Sequence, residues 1–452
     1  MRALALLAAL LPFAAWTQEA QQTNLRYDED WSLVSNAPRE GWRAAKYRPL
    51  TDDGSAYLTL GGEARARFEG FDDNLWGDPP APDDGYLWLR VMPHADLHVG
   101  PARVFVQGIA GYARGVGAGK GPVDETGIDL LQGFADVRMP LGNSGNLTVR
   151  AGRELVALGS ERLVGIRYGP NIPQAFDGVR AILDHGPARI DAFHLRPVAV
   201  AGGDFDDRTS TTRRLDGVYA TLAPATDIGI DAYWLGYMNE EARFAGRTGR
   251  ETRDTFGLRF FGQRGNLGWN WEAMLQRGHF DGDRIRAWSL ATETAWRFTD
   301  IPLKPRVRLR ANIASGDRDP ADGRIQTFNA LFPKGKYFGE LSPIGPRNIV
   351  NVHPSVDFEL GKGVTVELVA ARFWRESRGD GLYDIPGGLI RPAGGGDARH
   401  IGDQIEISAG WQASALLSFT ASLSAFRPGS YIRDTGPARQ IHMVGAEAML
   451  KL

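Results

Sequence analysis

The sequence predicts an all-β protein, a single transmembrane antiparallel β-barrel of about 18 strands with short periplasmic turns and long extracellular loops. Three observations carry that expectation. From Tyr57 onward, stretches of ten or so residues alternate small or apolar side chains with charged ones, from YLTLGGEARARFE to MVGAEAMLKL. Successive side chains of a strand point to opposite faces, so strict alternation over a bilayer's thickness gives one face to lipid and one to water. Beyond the N-terminus no apolar run is long enough for a spanning helix, and helical periodicity is almost absent after residue 50. The connections also alternate in length. DHGPAR, GNSGN, FTDIPLKP and GKG are short, whereas 70–85, 156–175, 198–214, 239–252, 314–347, 377–400 and 427–440 are long.

The chain opens with MRALALLAALLPFAAW, a positive charge at Arg2 followed by an apolar core from Ala3 to Ala15. This reads as a secretory signal peptide over residues 1–20, with cleavage near Thr17 or Ala20. Cysteine is absent, which suits an exported barrel held by its closed hydrogen-bond ladder. Residues 21–56 carry Tyr27, Trp31, Trp42 and Tyr47 among acids and bases, and read as an ordered periplasmic cap or inward plug. The barrel domain then occupies 57–452. Strands are expected at 57–69, 86–97, 103–114, 128–138, 147–155, 176–185, 189–197, 215–222, 228–238, 253–261, 267–278, 285–298, 305–314, 348–360, 364–376, 401–411, 415–426 and 442–452. The longest loop, rich in Pro, Gly and aromatics, is expected to fold over or into the lumen. Tyr57, Trp76, Tyr86, Tyr112, Trp234, Trp269, Trp271, Trp296, Trp374, Trp411 and Phe426 are expected to form the interfacial aromatic girdles.

Alternation assigns the wet face. In PRVRLRANIA, Val307, Leu309, Ala311 and Ile313 take the lipid side and Arg306, Arg308 and Arg310 the lumen, since Arg facing mid-membrane lipid costs roughly 2–4 kcal/mol. The same parity turns Glu63, Arg65, Arg67 and Glu69 inward against Leu58 to Phe68, and Arg90, His94 and Asp96 against Leu87 to Leu97. Inward acids follow at Glu272, Asp357, Glu359, Glu367 and Glu406. Net charge is −2, with 52 basic against 54 acidic residues, and most of the bases are Arg. The guanidinium fork pairs bidentately with carboxylates, as a duct for acidic cargo would require. A GC-rich genome gives the same bias, and inward Arg and Glu also serve to pair into a rigid, closed lumen.

YDEDW, KYRPL, YLTLGGEARARFE, VRAGRELVALGSERL, RYGPNIPQAFDGVR, ASGD, TFNALFPKGKYFGE, RFWRESRGDGLYD, IGDQIEI and FRPGSY together resemble, in order and over almost all of the mature chain, the alginate export family of outer-membrane porins. The resemblance implies a monomeric barrel in the outer membrane of a Gram-negative bacterium, with an Arg-rich constriction that attracts a polyuronate and passes it outward. Carried onto this chain, the family's elements fall on Arg153 and Glu154, on Arg167, Asn171, Asp177 and Arg180, and on Glu340 and Arg375. These join Arg65, Arg67, Arg90, Arg306, Arg308 and Arg310 as pore-lining or substrate-binding candidates. One conflict stands: if Val149 and Ala151 face lipid, so does Arg153, unless a bulge near Gly152 intervenes.

Expected contacts are outer-membrane lipid and an anionic polysaccharide or other anionic solute, with a periplasmic secretion partner where export operates and no nucleic acid. Uptake of small organic anions is the alternative use of the same lining. An outer-membrane enzyme ranks well below both, because Ser144 in GNSGN lacks a nucleophile elbow and no His stands beside a convincing Ser and acid. GVGAGKG at 115–121 fails as a phosphate loop, with Arg114 in place of its first Gly and Gly121 where Ser or Thr is needed. No cofactor is expected. Loop-bound calcium at Asp204, Asp206 and Asp207 or at Asp317, Asp319 and Asp322 competes with the more frequent reading of solvated acids. A soluble carbohydrate-binding β protein would leave the Leu58-to-Phe68 faces needing a partner sheet.

Overall fold

A computed structural model describes residues 22–35, 40–244, 247–394 and 396–452. The expected signal peptide lies outside the described residues. Each alternating segment forms a strand: β1 (Ala56–Asp72), β2 (Asp84–Val99), β3 (Ala102–Arg114), β4 (Gly127–Leu141), β5 (Gly145–Leu155), β6 (Ala175–His185), β7 (Ala188–Ala199), β8 (Arg213–Ala225) and β9 (Ile228–Phe244). The second half comprises β10 (Arg247–Arg264), β11 (Leu267–Phe280), β12 (Asp283–Arg297), β13 (Arg306–Ala314), β14 (Ile349–Gly361), β15 (Val364–Trp374), β16 (His400–Gln412), β17 (Leu417–Pro428) and β18 (Ile441–Lys451). Every strand pairs antiparallel with its sequence neighbours. β1 also pairs with β18 from Glu63↔Lys451 to Asp72↔His442, which closes the sheet. Closure satisfies the backbone without leaving an edge, the condition for a sheet in lipid.

Side-chain exposure alternates along the strands as the sequence requires. On β1, Glu63, Arg65, Arg67 and Glu69 are buried inward while Ala66 and Phe68 are exposed outward. On β13, Val307 and Leu309 are exposed outward, so Arg306, Arg308 and Arg310 face the lumen. Within the expected loop at 239–252, residues 239–244 and 247–252 are instead strand: β9 and β10 stay paired as far as Phe244 and Arg247, with a register shift between Asn239 and Ala242. Cross-strand pairing there continues through Ala242↔Gly249 to Phe244↔Arg247, overriding a polar composition that reads as loop.

The girdles also differ from expectation. Tyr112, Trp234, Trp271, Trp296 and Trp411 are exposed on the outer wall. Trp76 and Phe426 are instead buried and pack edge-to-face at 5.5 Å between ring centroids. Tyr57 stacks on His98, and Tyr86 donates to Glu69 inside the barrel. Their strand parity matches that of inward-facing neighbours, which aromatic content alone does not reveal.

The lumen is filled by three inserted segments. Residues 22–35 and 40–47 form short 3-10 turns against the inner wall: Arg26 donates to the Leu452 carbonyl at 2.5 Å, and the Tyr27 hydroxyl to that of Leu155 at 2.6 Å. The connections 156–174 and 315–348 meet through a bridge between Val164 and Phe332. Val156, Leu163, Phe328, Phe332, Phe338, Leu341 and Ile344 pack there on Phe176, Leu195, Leu215 and Phe373 of the wall. Each fully buried side chain of this kind contributes roughly 1.5–3 kcal/mol, enough in sum to hold the insertions in one place.

Candidate functional site

With those insertions in place, much of the inner wall is covered, and partly exposed charge remains along β12 to β15 as well as around Glu340 and Glu447. Glu293 on β12, Arg306, Arg308 and Arg310 on β13, Asp357 on β14 and Glu367 on β15 form a continuous ion-pair ladder. Arg306 Nε lies 2.7 Å from Asp357 Oδ1, Arg308 reaches Asp357 and Glu367 at 3.3 Å each, and Arg310 Nε lies 3.0 Å from Glu293. Arg297 and Glu359 extend it at 2.5 Å. The pattern arises from register: Arg306 stands opposite Asp357 and Arg310 opposite Glu293 on a shared face. Arg308 keeps 11% of its side chain exposed, Arg306 15% and Arg310 31%, so the ladder is wet. The most exposed of these pairs, Arg310 with Glu293, is the one a competing carboxylate exchanges with most readily.

Lys334, in the 315–348 insertion, lies near enough to Arg310 and Glu293 of this ladder to interact with their charges. Burial lowers its ammonium to about 8, and Arg310 and Arg162 push the same way. Arg162 itself is held by Glu272 at 2.7 Å. Among the described residues Lys334 has no ion-pair partner, and the carboxylates of Glu161 and Glu293 offset its charge only in part. Arg167 is comparable: burial, then Arg213, lower it to about 10, and among the described residues no carboxylate pairs with it.

The remaining sequence candidates fall into three settings. Arg67 joins Glu69 at 2.5 Å, Glu447 at 2.9 Å and Glu340, with Lys336 bridging Glu69 and Glu340. Burial would raise the Glu340 carboxyl, but Lys336 and Arg67 outweigh it and hold it at about 2. Arg65 and Arg90 face inward yet are 3% and 1% exposed, covered by residues 168–171. Arg65 donates to the carbonyls of Tyr168, Gly169 and Pro170, and Arg90 to that of Asn171 and to Glu63 at 2.6 Å. Arg180 and Glu154 are buried together with Arg150, Asp136 and Asp191 beneath Tyr27. These groups anchor the insertions.

Three candidates do not line the lumen. Register runs unbroken through Gly152↔Phe134 and Arg153↔Gly133, so no bulge turns Arg153 inward. It stays on the outer face, paired with Asp177 at 2.8 Å, while Thr209 donates to the same carboxylate. Arg375 lies just beyond β15, 1% exposed, and its guanidinium donates to the carbonyls of Arg378, Asp380, Ala393 and Ala398. It clamps the 375–399 loop and lines nothing. The loop acids also regroup: Asp206 and Asp207 converge with Asp129 of β4, their oxygens within 4.8 Å, while Asp204 caps the Ile128 amide. Sequence reasoning passed over Glu293, although its parity with Ala291 and Ala295 marks it as inward. Lys334 and Lys336 carried no signal, because their place depends on how an irregular loop folds.

A closed barrel with an apolar outer wall and a charged, partly filled lumen defines an outer-membrane β-barrel porin. The model of the alginate export family matches residues 56–446, and the chain belongs to that family. Solved structures of porins share the fold at low identity. Pseudomonas aeruginosa OccK5 (OpdH) aligns at TM-score 0.58 and 13% identity, covering 87% of this chain and 98% of its own. Acinetobacter baumannii OccAB1 gives 0.58 and 13%, covering 90% and 99%. Pseudomonas aeruginosa OccK2 (OpdF) in complex with glucuronate gives 0.59 and 13%, covering 87% and 98%. A search of curated protein sequences returns no match.

Proposed function

We propose that this porin passes carboxylate-bearing saccharides, and that the ladder of Arg306, Arg308 and Arg310 beside Lys334 is the track they follow. The observation that carries the reading is the run of three partly exposed arginines, Arg306, Arg308 and Arg310, along one strand of the lumen wall. Guanidinium groups two residues apart recur roughly every 6.6 Å along a strand. A carboxylate released by one is then within reach of the next, and the glutamates and aspartates between them refill the vacated position. Many weak exchanges of this kind favour passage over trapping. Family membership favours a polyuronate chain as cargo.

The packed insertions favour a second reading, uptake of single acidic sugars or small organic anions, because Phe332, Tyr337 and Phe338 are buried in apolar packing within the barrel, where a bulky polymer would need space. The glucuronate complex of OccK2 concerns the same carboxylated sugar chemistry on a related fold. Planar-bilayer recordings test both. Replacing Arg306, Arg308 and Arg310 by Glu is expected to reverse anion preference, and unchanged selectivity would remove them from the track. Block by alginate oligomers but not by glucuronate supports polymer passage, and the opposite pattern supports small-anion uptake.

A further inference from the structure

The barrel treats its arginines in two ways. On the lumen wall, Arg67, Arg90, Arg150, Arg180, Arg253, Arg259, Arg306, Arg308 and Arg310 all have carboxylate partners. On the outer wall, where β11, β12 and the short segment Arg324–Ile325 meet, they do not. Arg277 on β11 stands directly opposite Arg286 on β12. In the next row outward, His279 stands opposite Arg284, which is paired in register with Arg324. All five side chains are exposed. Among the described residues none of the four guanidinium groups has an ion-pair or hydrogen-bond partner. Three carboxylates nearby are otherwise engaged. Asp254, opposite Arg277 in register, accepts from the Trp234 indole at 2.9 Å, Asp283 is paired with Arg247, and Asp322 accepts from the Arg324 amide.

Like charges placed directly across a strand pair destabilise a sheet unless an anion lies between them. Their position says which anion. The adjoining outward row consists of Trp234, Phe256, Leu275 and Trp288, all exposed and in cross-strand register. It is the upper limit of the apolar belt, with Leu258 and Leu290 below it. The arginines therefore begin two residues, roughly 7 Å, beyond the hydrocarbon edge. They lie at the end of the barrel bearing the long loops, which in such barrels faces outward. That is the depth of the outer leaflet's headgroups, and a phosphate monoester is the anion a guanidinium fork grips best.

The geometry points to a binding site on the outer wall, formed by Arg277, Arg284, Arg286 and Arg324, for the phosphorylated headgroup of an outer-leaflet glycolipid whose acyl chains lie along Trp288, Leu275 and Leu290. The site is independent of what the lumen carries. It is tested with detergent-purified full-length protein, titrated with diphosphorylated lipid A and followed by native mass spectrometry and by the midpoint of heat-induced mobility change. Wild type is expected to bind the lipid and melt higher with it. The quadruple variant Arg277→Gln, Arg284→Gln, Arg286→Gln, Arg324→Gln is expected to bind about tenfold or more weakly. Arg264→Gln, a change to an exposed ion-paired arginine at the opposite rim, is expected to bind as wild type does. Equal affinity of the quadruple variant, equal binding of phosphate-free lipid A, or the same protection by inorganic phosphate alone would overturn the assignment. If the quadruple variant loses barrel mobility, the pair Arg277→Gln and Arg286→Gln decides: weaker binding supports the site and unchanged binding overturns it.

Discussion

Replacing Arg65 by Met tests whether the 156–174 insertion is held against the wall by buried cations. Arg65 is 3% exposed and donates to the carbonyls of Tyr168 at 2.9 Å, Gly169 at 3.0 Å and Pro170 at 2.7 Å. Met keeps most of the apolar stem and removes every donor. Each hydrogen bond from a charged group is worth roughly 1.5–3 kcal/mol, and an abandoned buried carbonyl costs roughly 1–3 kcal/mol. The Pro170 and Tyr168 oxygens keep Arg90 at 3.2 and 3.4 Å, and burial of a guanidinium is no longer required. The net loss is then about 3 kcal/mol, a rise of roughly 100-fold in the detached fraction of the insertion. The barrel's own ladder is untouched, so heat-modifiable mobility should persist. Hydrogen exchange of residues 164–172 should accelerate, and bilayer recordings should show added large-conductance openings. Wild-type exchange in that segment, with the barrel intact, would refute the anchoring role.

Burial, reinforced by the neighbouring Asp380, pushes the Asp317 carboxyl up to about 6 in the 315–348 insertion. A raised carboxylate value means the folded loop holds the proton more tightly. Its stability is therefore greatest below the unfolded value near 4 and falls as pH rises from 4 to 6, by on the order of 2–3 kcal/mol. Protease susceptibility of the loop should rise over that window in wild type and stay flat in Asp317→Asn; identical profiles would remove Asp317 as the cause. Chelation with EDTA is expected to leave the heat-modification midpoint unchanged, whereas a fall reversed by calcium would assign an ion to Asp129, Asp206 and Asp207.

Much of the architecture was legible because a barrel strand writes its environment into alternate positions. Val307 and Leu309 against Arg306, Arg308 and Arg310 needs no knowledge of the partner strands, only that one face meets hydrocarbon. The same rule exposed the conflict at Arg153, and the unbroken register resolved it in favour of the outer wall. Motif likeness was less informative about position. Arg375 and Asp177 stand in family-like elements, yet one clamps a loop and the other lies outside the lumen. Aromatic content likewise could not separate Trp271, facing lipid, from Trp76, packed inside on Phe426.

The chain by itself determined a closed sheet, its approximate strand boundaries and the sign of each wall, since alternation, bilayer thickness and backbone satisfaction admit one solution. Tertiary structure alone decided which lumen charges stay wet. Arg90 and Arg310 are both inward arginines in alternating strands. One is sealed beneath residues 168–171 and the other is open beside Lys334, because irregular insertions, packed by apolar contacts distant in sequence, choose which part of the wall they cover.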